Sequence, residues 1–166
     1  MTDDERFMSE AVAEALQGLA EGEVPIGAVA VRDGKIIARG HNRRVALSDI
    51  TAHAEMSCLR DFSARYQKEN GDLSFDLSGV TLYSTLEPCA MCLGAMIHYK
   101  IGRVVFGERD IMLGACGSRF DFDKEAGINV CGGVLRLESR KPLLDFFEKQ
   151  LGHRSHHWKD IELPAK

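Results

Sequence analysis

Phe7, Ala11, Ala15 and Leu19 stand four apart, the spacing that lines one face of an amphipathic helix, and predict a helix over residues 5–20. Glu23-Val24-Pro25 ends it. Two short apolar runs, 27–31 and 35–39, flank Arg32-Asp33-Gly34, and Asp-Gly between strands predicts a hairpin. Residues 41–50 read as a loop. Thr51 then stands where a helix cap belongs, with Glu55 four residues on and Met56, Leu59 and Phe62 continuing an apolar face. Residues 64–79 are polar and carry the breakers Asn70-Gly71 and Ser78-Gly79, so they read as a loop or short insertion. Residues 80–85 alternate as a strand, and Pro88 suits the start of a helix carrying residues 89–100. Residues 103–106 and 130–137 read as the remaining strands, and 142–151 as a closing helix. Strands alternating with helices predict an α/β chain, a three-layer α/β/α sandwich folded as a single domain over residues 1–166.

Composition narrows the setting. A chain of 166 residues can build one sizeable core, and 45% hydrophobic with 28% charged residues is the balance of a soluble globular protein. No apolar run is long enough to cross a bilayer, so no membrane partner is expected. The opening Met1-Thr2-Asp3-Asp4-Glu5 is acidic where a secretory signal is basic, and a cytoplasmic location follows as the expectation. A net charge of −4 argues against a surface built for nucleic-acid phosphates, although a local basic patch would override the total. Neither repeats nor low-complexity tracts occur.

Five cysteines is an odd number, and Cys89 and Cys92 form a Cys-x-x-Cys pair. In a reducing compartment that spacing favours metal or redox chemistry over a disulfide. On a helix the two thiols project from one face of the first turn, where the helix N-terminus favours the thiolate that zinc needs. His53 falls at the start of the other helix. If the strands before the two helices are neighbours, His53, Cys89 and Cys92 give zinc three ligands and leave one position open, the pattern of a catalytic site. Two thiolates damp the metal's charge, so a general base beside the attacking water is useful. Glu55, two residues from His53, can take the water's proton, pass it to a ring nitrogen and then help an amine leave as ammonia. The bland readings are a structural zinc closed by Cys58 or His98 in a non-enzymatic module, and a redox pair. Cys58, Cys116 and Cys131 read as small buried residues, and Met91, Met96 and Ile97 as core packing. His153, His156 and His157 read as a solvated tail rather than a second metal site.

His53-Ala54-Glu55 together with Pro88-Cys89-Ala90-Met91-Cys92 resembles the cytidine/deoxycytidylate deaminase superfamily, and the likeness runs over nearly the whole chain. Val24-Pro25-Ile26-Gly27-Ala28-Val29, Thr51-Ala52-His53-Ala54-Glu55, the run 85–107 and Gly114-Ala115-Cys116-Gly117-Ser118 look like bacterial tRNA adenosine deaminases. Gly40-His41-Asn42, Arg44 and Trp158-Lys159-Asp160-Ile161 look like fungal-type cytosine deaminase, and bacterial guanine deaminases share the core motifs. The resemblance implies a five-stranded mixed sheet, one Zn²⁺ per chain and a homodimer, with the base held by Asn42 and a backbone amide near Ala54. By likeness to the cytosine enzyme, Trp158 and Asp160 would close over a small base, with Asp160 accepting from its exocyclic amine. An ordinary amphipathic end segment is the equal alternative.

Two features depart from the tRNA branch. Its last helix is typically rich in Lys and Arg, whereas Phe146-Phe147-Glu148-Lys149-Gln150 is charge-balanced, and segment 61–79 is longer than either branch leads one to expect. That segment reads as a surface insertion, with substrate access as the alternative role. The acidic total and the Trp158/Asp160 tail lead to deamination of a small nucleobase or nucleoside, cytosine- or guanine-type, as the first reading. The near-continuous match over 85–107 supports the alternative, a tRNA adenosine deaminase acting at the anticodon wobble position.

Overall fold

A computed structural model describes residues 1–71 and 76–151. In chain order the elements are α1 (Asp3–Ala20), β1 (Gly27–Arg32), β2 (Lys35–His41), α2 (Arg44–Leu47), α3 (Ala54–Asn70), β3 (Thr81–Leu86), α4 (Ala90–His98), β4 (Arg103–Glu108), α5 (Phe122–Ala126), β5 (Asn129–Gly132) and α6 (Arg136–Leu151). The strands make one mixed sheet in the order β2-β1-β3-β4-β5. β1 runs antiparallel to both β2 and β3, while β3, β4 and β5 run parallel. Helices cover both faces, as the alternation of elements predicts. Ala28 and Ala30 of β1 face a core shared with α3 and α4, whereas Val29 and Val31 face Phe7, Met8 and Ala11 of α1. A central strand buried on both sides needs apolar residues at every position, which is why β1 reads as a run rather than an alternation.

The ends of α1 and α3 differ from the sequence reading for local reasons. α1 begins at Asp3, not residue 5, because Thr2 and Glu5 form a reciprocal capping box: the Glu5 amide donates to Thr2 Oγ1 at 3.1 Å and the Thr2 amide to Glu5 Oε2 at 2.7 Å. Asp4 in that first turn also takes both ends of the Arg103 guanidinium, at 2.8 and 2.7 Å, and the Tyr83 hydroxyl at 2.8 Å, tying α1 to β3 and β4. Arg103 holds the Asp4 carboxyl below the usual carboxylate range. Thr51 is not the cap of α3. Its amide and hydroxyl both donate to Asp49 Oδ1, closing a turn, and His53 occupies the N-cap position. α3 also runs on to Asn70, through part of the segment read as a loop. Phe62 and Tyr66, four residues apart, pack with tilted rings, Arg65 pairs with Asp61, and Gly71 ends the helix in the left-handed conformation.

The C-terminal half departs further. β5 stops at Gly132 and α6 starts at Arg136, so the last strand is shorter and the last helix longer than expected. Glu108, fully buried at the end of β4, explains the switch, since it accepts from Arg136 Nε at 2.9 Å and Arg140 Nη1 at 3.4 Å. A buried carboxylate without those cations would be strongly destabilising, so residues 136–140 must be helical to present both. Pro142 lies inside α6 rather than at its start. α2 and α5 span four and five residues, too few for periodicity to reveal. Met96 is core as expected, whereas Met91 and Ile97 are exposed.

One feature of the sheet places the site. Because β1 separates β2 from β3 and opposes both, those two strands point the same way and end at one edge of the sheet. The strands that precede α3 and α4 are therefore not neighbours, yet both helices start at the same edge, where the end of β4 also lies. α3 is seated close on β2 at Gly40: a Cβ there would fall 2.3 Å from the Cys58 backbone nitrogen and 2.8 Å from the Ala54 carbonyl oxygen. Among the described residues no helix is long and apolar enough to cross a membrane.

Candidate active site and metal centre

His53 and Cys89 occupy equivalent places, each the extended N-cap residue of its helix. Cys92 stands three residues into the second helix. The His53 Nδ1 lies 3.7 Å from both Cys89 Sγ and Cys92 Sγ, and all three ligand atoms fall within 4.8 Å of one another. Tetrahedral zinc with ordinary Zn–N and Zn–S bonds separates its ligand atoms by roughly 3.6 Å, so this cage has the right dimensions. Among the described residues no fourth ligand joins the set. Cys58 is packed in the core, where burial pushes its thiol up, and His98 is exposed at the far end of α4. Among the described residues the set is thus of the three-ligand kind.

Electrostatics favour an anionic ligand here. Hydrogen bonding from Cys92, with a further contribution from His53, lowers the Cys89 thiol to about 4, so it is a thiolate at neutral pH. The neighbouring Cys89 sulfur and burial push Cys92 the other way. A divalent cation reverses that balance, because a coordinating thiol is deprotonated outright. The two helix N-termini add positive potential to the same spot.

Glu55 sits one turn-position inside α3, 4% exposed. Its Oε1 accepts from the Ser84 hydroxyl at 3.3 Å and its Oε2 from the Cys92 thiol at 3.5 Å. Burial raises its carboxyl above the usual range, which suits a group that must take up and release a proton near neutrality. Ser84, a polar residue at a core-facing position of β3, is the unpredicted partner that fixes its orientation.

Beside the metal cage lies a cavity of about 310 Å³ lined by Asn42, His53, Glu55 and Cys89, with Val24, Ile26, Leu86 and Phe147 as apolar walls and Arg44, Glu87, Asp110, Met112 and Leu113 at its other side. Asn42, expected to hold the base, lines this cavity. Ala54 is buried at the first position of α3 and does not line the cavity, but its amide belongs to the helix-start donors that no side chain caps. Trp158 and Asp160 lie outside the described residues, as do His153, His156 and His157. No described residue of segment 61–79 lines the cavity, so the described part of that segment does not shape access.

Sequence reasoning missed three buried acids around this cavity. Glu87 accepts from the Asp110, Cys116 and Ser118 amides at 3.1, 3.0 and 3.1 Å, and from the Ser118 hydroxyl. It thereby fastens the 110–118 loop against Pro88 and Cys89, and its position directly before the Pro-Cys motif was the available signal. Asp110 accepts from the Met112 and Leu113 amides, and burial raises its carboxyl. Glu23 is bound to Asn42 at 3.1 Å. Phe147, in a helix judged only by its charge balance, forms a cavity wall.

The family description "Cytidine and deoxycytidylate deaminase zinc-binding region" matches residues 1–108. The tRNA-specific adenosine deaminase of Haemophilus influenzae is 43% identical over 152 residues, spanning 89% of this chain and 84% of its own. A solved structure from work on A-to-I editing by tRNA:A34 deaminases at the wobble position of transfer RNA aligns with a TM-score of 0.74 at 38% identity, covering 83% of this chain and 99% of the other. The guanine deaminase of Nitrosomonas europaea shares the architecture (TM-score 0.71, covering 86% of this chain and 83% of the other) at 25% identity. These likenesses overturn the first reading of a cytosine- or guanine-type small substrate, because the higher identities lie with tRNA adenosine deaminases. The inference from net charge failed because it sums the whole surface, whereas a substrate meets only the rim of one cavity. The matched family is a zinc-binding deaminase region, and His53, Cys89 and Cys92 form a set that could hold that zinc. The chain belongs to the cytidine and deoxycytidylate deaminase family.

Proposed function

We propose that this chain deaminates an adenosine of tRNA to inosine at the anticodon wobble position. The observation that carries the reading is the 43% identity with a tRNA-specific adenosine deaminase over 89% of the chain. A cavity of about 310 Å³ is at the small end of ligand pockets and admits a single base, so the target nucleotide must be turned out of its stack to enter. Zinc supplies Lewis acidity at the open position of the cage. Glu55 takes one proton from the attacking water and delivers it to the purine ring nitrogen next to the reacting carbon; it then passes the remaining hydroxyl proton to the amine, which leaves as ammonia as the C–N bond breaks and the carbonyl forms. Asn42 and the Ala54 amide hold the base, while Val24, Ile26, Leu86 and Phe147 keep bulk water from the reacting face. The cytoplasm, where tRNA is used, is the corresponding site of action; recovery of the protein in another cell fraction would count against it.

Incubating the zinc-loaded protein with an anticodon stem-loop carrying adenosine at the wobble position should yield inosine, with binding that weakens steeply as salt rises. Ammonia release from free cytosine or guanine, with no inosine in the stem-loop, would reject the reading.

We also propose a homodimer. Met91 and Ile97 of α4, Met112 and Leu113 of the connection after β4, and Phe120 and Phe122 are all at least one-third exposed. Phe120 stacks on Phe122, which lines one groove with Ile97, and exposed large apolar side chains brought together are characteristic of an interaction surface. Sedimentation at the dimer mass is the expected result, and Ile97→Glu should shift it toward monomer. A wild-type chain that sediments as a monomer at assay concentrations removes the proposal.

A further inference from the structure

Glu23 lies in the turn between α1 and β1 and is 1% exposed, yet no ion pair among the described residues involves it. A carboxylate buried without a cation needs a full set of donors. Glu23 has three. Its Oε2 accepts from Asn42 Nδ2 at 3.1 Å and from the Val45 amide at 3.2 Å, and its Oε1 accepts from the Ala46 amide at 2.8 Å. The two amides belong to the first turn of α2, whose own N-cap residue, Arg43, makes no side-chain cap. Glu23 therefore does two things with one group: it satisfies the start of α2 and it grips the side chain of Asn42, itself 2% exposed and part of the cavity wall.

An ionised carboxylate accepts hydrogen bonds and cannot donate them. It thus dictates which end of the Asn42 amide turns toward it, the NH₂ group, and leaves the carbonyl oxygen for another donor. From this we infer that Glu23 is a positioning residue, which locks the Asn42 amide so that its carbonyl oxygen and the second N–H of its NH₂ group are held in fixed directions for the substrate. The inference rests on the reading of Asn42 as a substrate contact. A glutamine at position 23 keeps the volume but has one acceptor oxygen and an NH₂ group. It cannot serve all three donors, and it removes the constraint on the amide.

The test uses the full chain loaded with zinc, as wild type, Glu23→Gln, Asn42→Ala and the double variant. On the stem-loop, Glu23→Gln should raise KM about tenfold, with a smaller change in kcat and unchanged zinc content. In the Asn42→Ala background it should change kcat/KM by less than about twofold, since a residue acting through Asn42 has nothing left to position. Multiplication of the two losses in the double variant would overturn the inference and assign Glu23 to α2 alone. A second readout needs no turnover: the Asn42 side-chain NH₂ signals, assigned by their disappearance in Asn42→Ala, should exchange with solvent at least about tenfold faster in Glu23→Gln. Equal exchange would also overturn it. If wild type makes no inosine, the substrate reading fails while the exchange measurement still decides the role of Glu23. If Glu23→Gln does not fold, Glu23→Asp, too short to reach Asn42 and α2 together, is measured in its place with the same expected results.

Discussion

Glu55→Gln is expected to retain zinc and to lower turnover by roughly 10³–10⁴-fold, the upper range for removal of a general acid–base group. The substitution keeps the volume of the side chain, and an amide oxygen can still accept from Ser84, whose hydroxyl stands 3.3 Å from Glu55 Oε1. The cage is unaffected, because Glu55 is a neighbour of the ligands and not one of them. What disappears is the carboxyl that Ser84 and Cys92 hold beside the cage, the group placed to carry a proton between water, ring and leaving amine. Metal content measured alongside inosine formation separates the two contributions. Turnover within tenfold of wild type, with zinc in place, would remove Glu55 from the chemistry.

Cys89→Ala is expected to lose zinc and turnover together and to lower thermal stability. Cys89 is the N-cap of α4 and stands 3.7 Å from His53, the N-cap of α3, so a metal held by both would join the two helices. Binding that favours the folded state stabilises it by about 4 kcal/mol when free zinc exceeds its dissociation constant a thousandfold. Chelation of the wild type should therefore lower its melting temperature, and the same chelator should leave Cys89→Ala unmoved. An unchanged melting temperature and rate in chelated wild type would mean that the cage holds no functional metal. Its thiolate character reinforces the expectation, since hydrogen bonds from Cys92 and His53 already bring the Cys89 thiol to about 4.

Much of the architecture was legible because it is periodic. The four-residue spacing from Phe7 to Leu19 marked α1, and Asp33-Gly34 marked the β1–β2 hairpin. Errors arose where a long-range partner outweighed a local signal. Thr51 has the chemistry of a cap, but Asp49 takes its hydrogen bonds and His53 occupies the N-cap position without a capping bond. Pro142 has the chemistry of a helix start, but Glu108 needs Arg136 and Arg140 on the turns before it. Residues 64–70 look like a polar loop, yet Tyr66 against Phe62 and Arg65 against Asp61 extend α3.

The reaction and its cofactor were determined by sequence alone. His53-x-Glu55 and Cys89-x-x-Cys92 are spacings within one helical turn, and a helix start converts such a spacing into a fixed arrangement of atoms without help from the rest of the chain. The substrate chamber was decided only by tertiary structure. Val24, Asn42 and Asp110 come from three separate connections and Phe147 from α6. They meet because β1 inserts between β2 and β3, which turns the ends of β2, β3 and β4 to one edge of the sheet. Strand order is a property of non-local pairing, and no local pattern of residues encodes it.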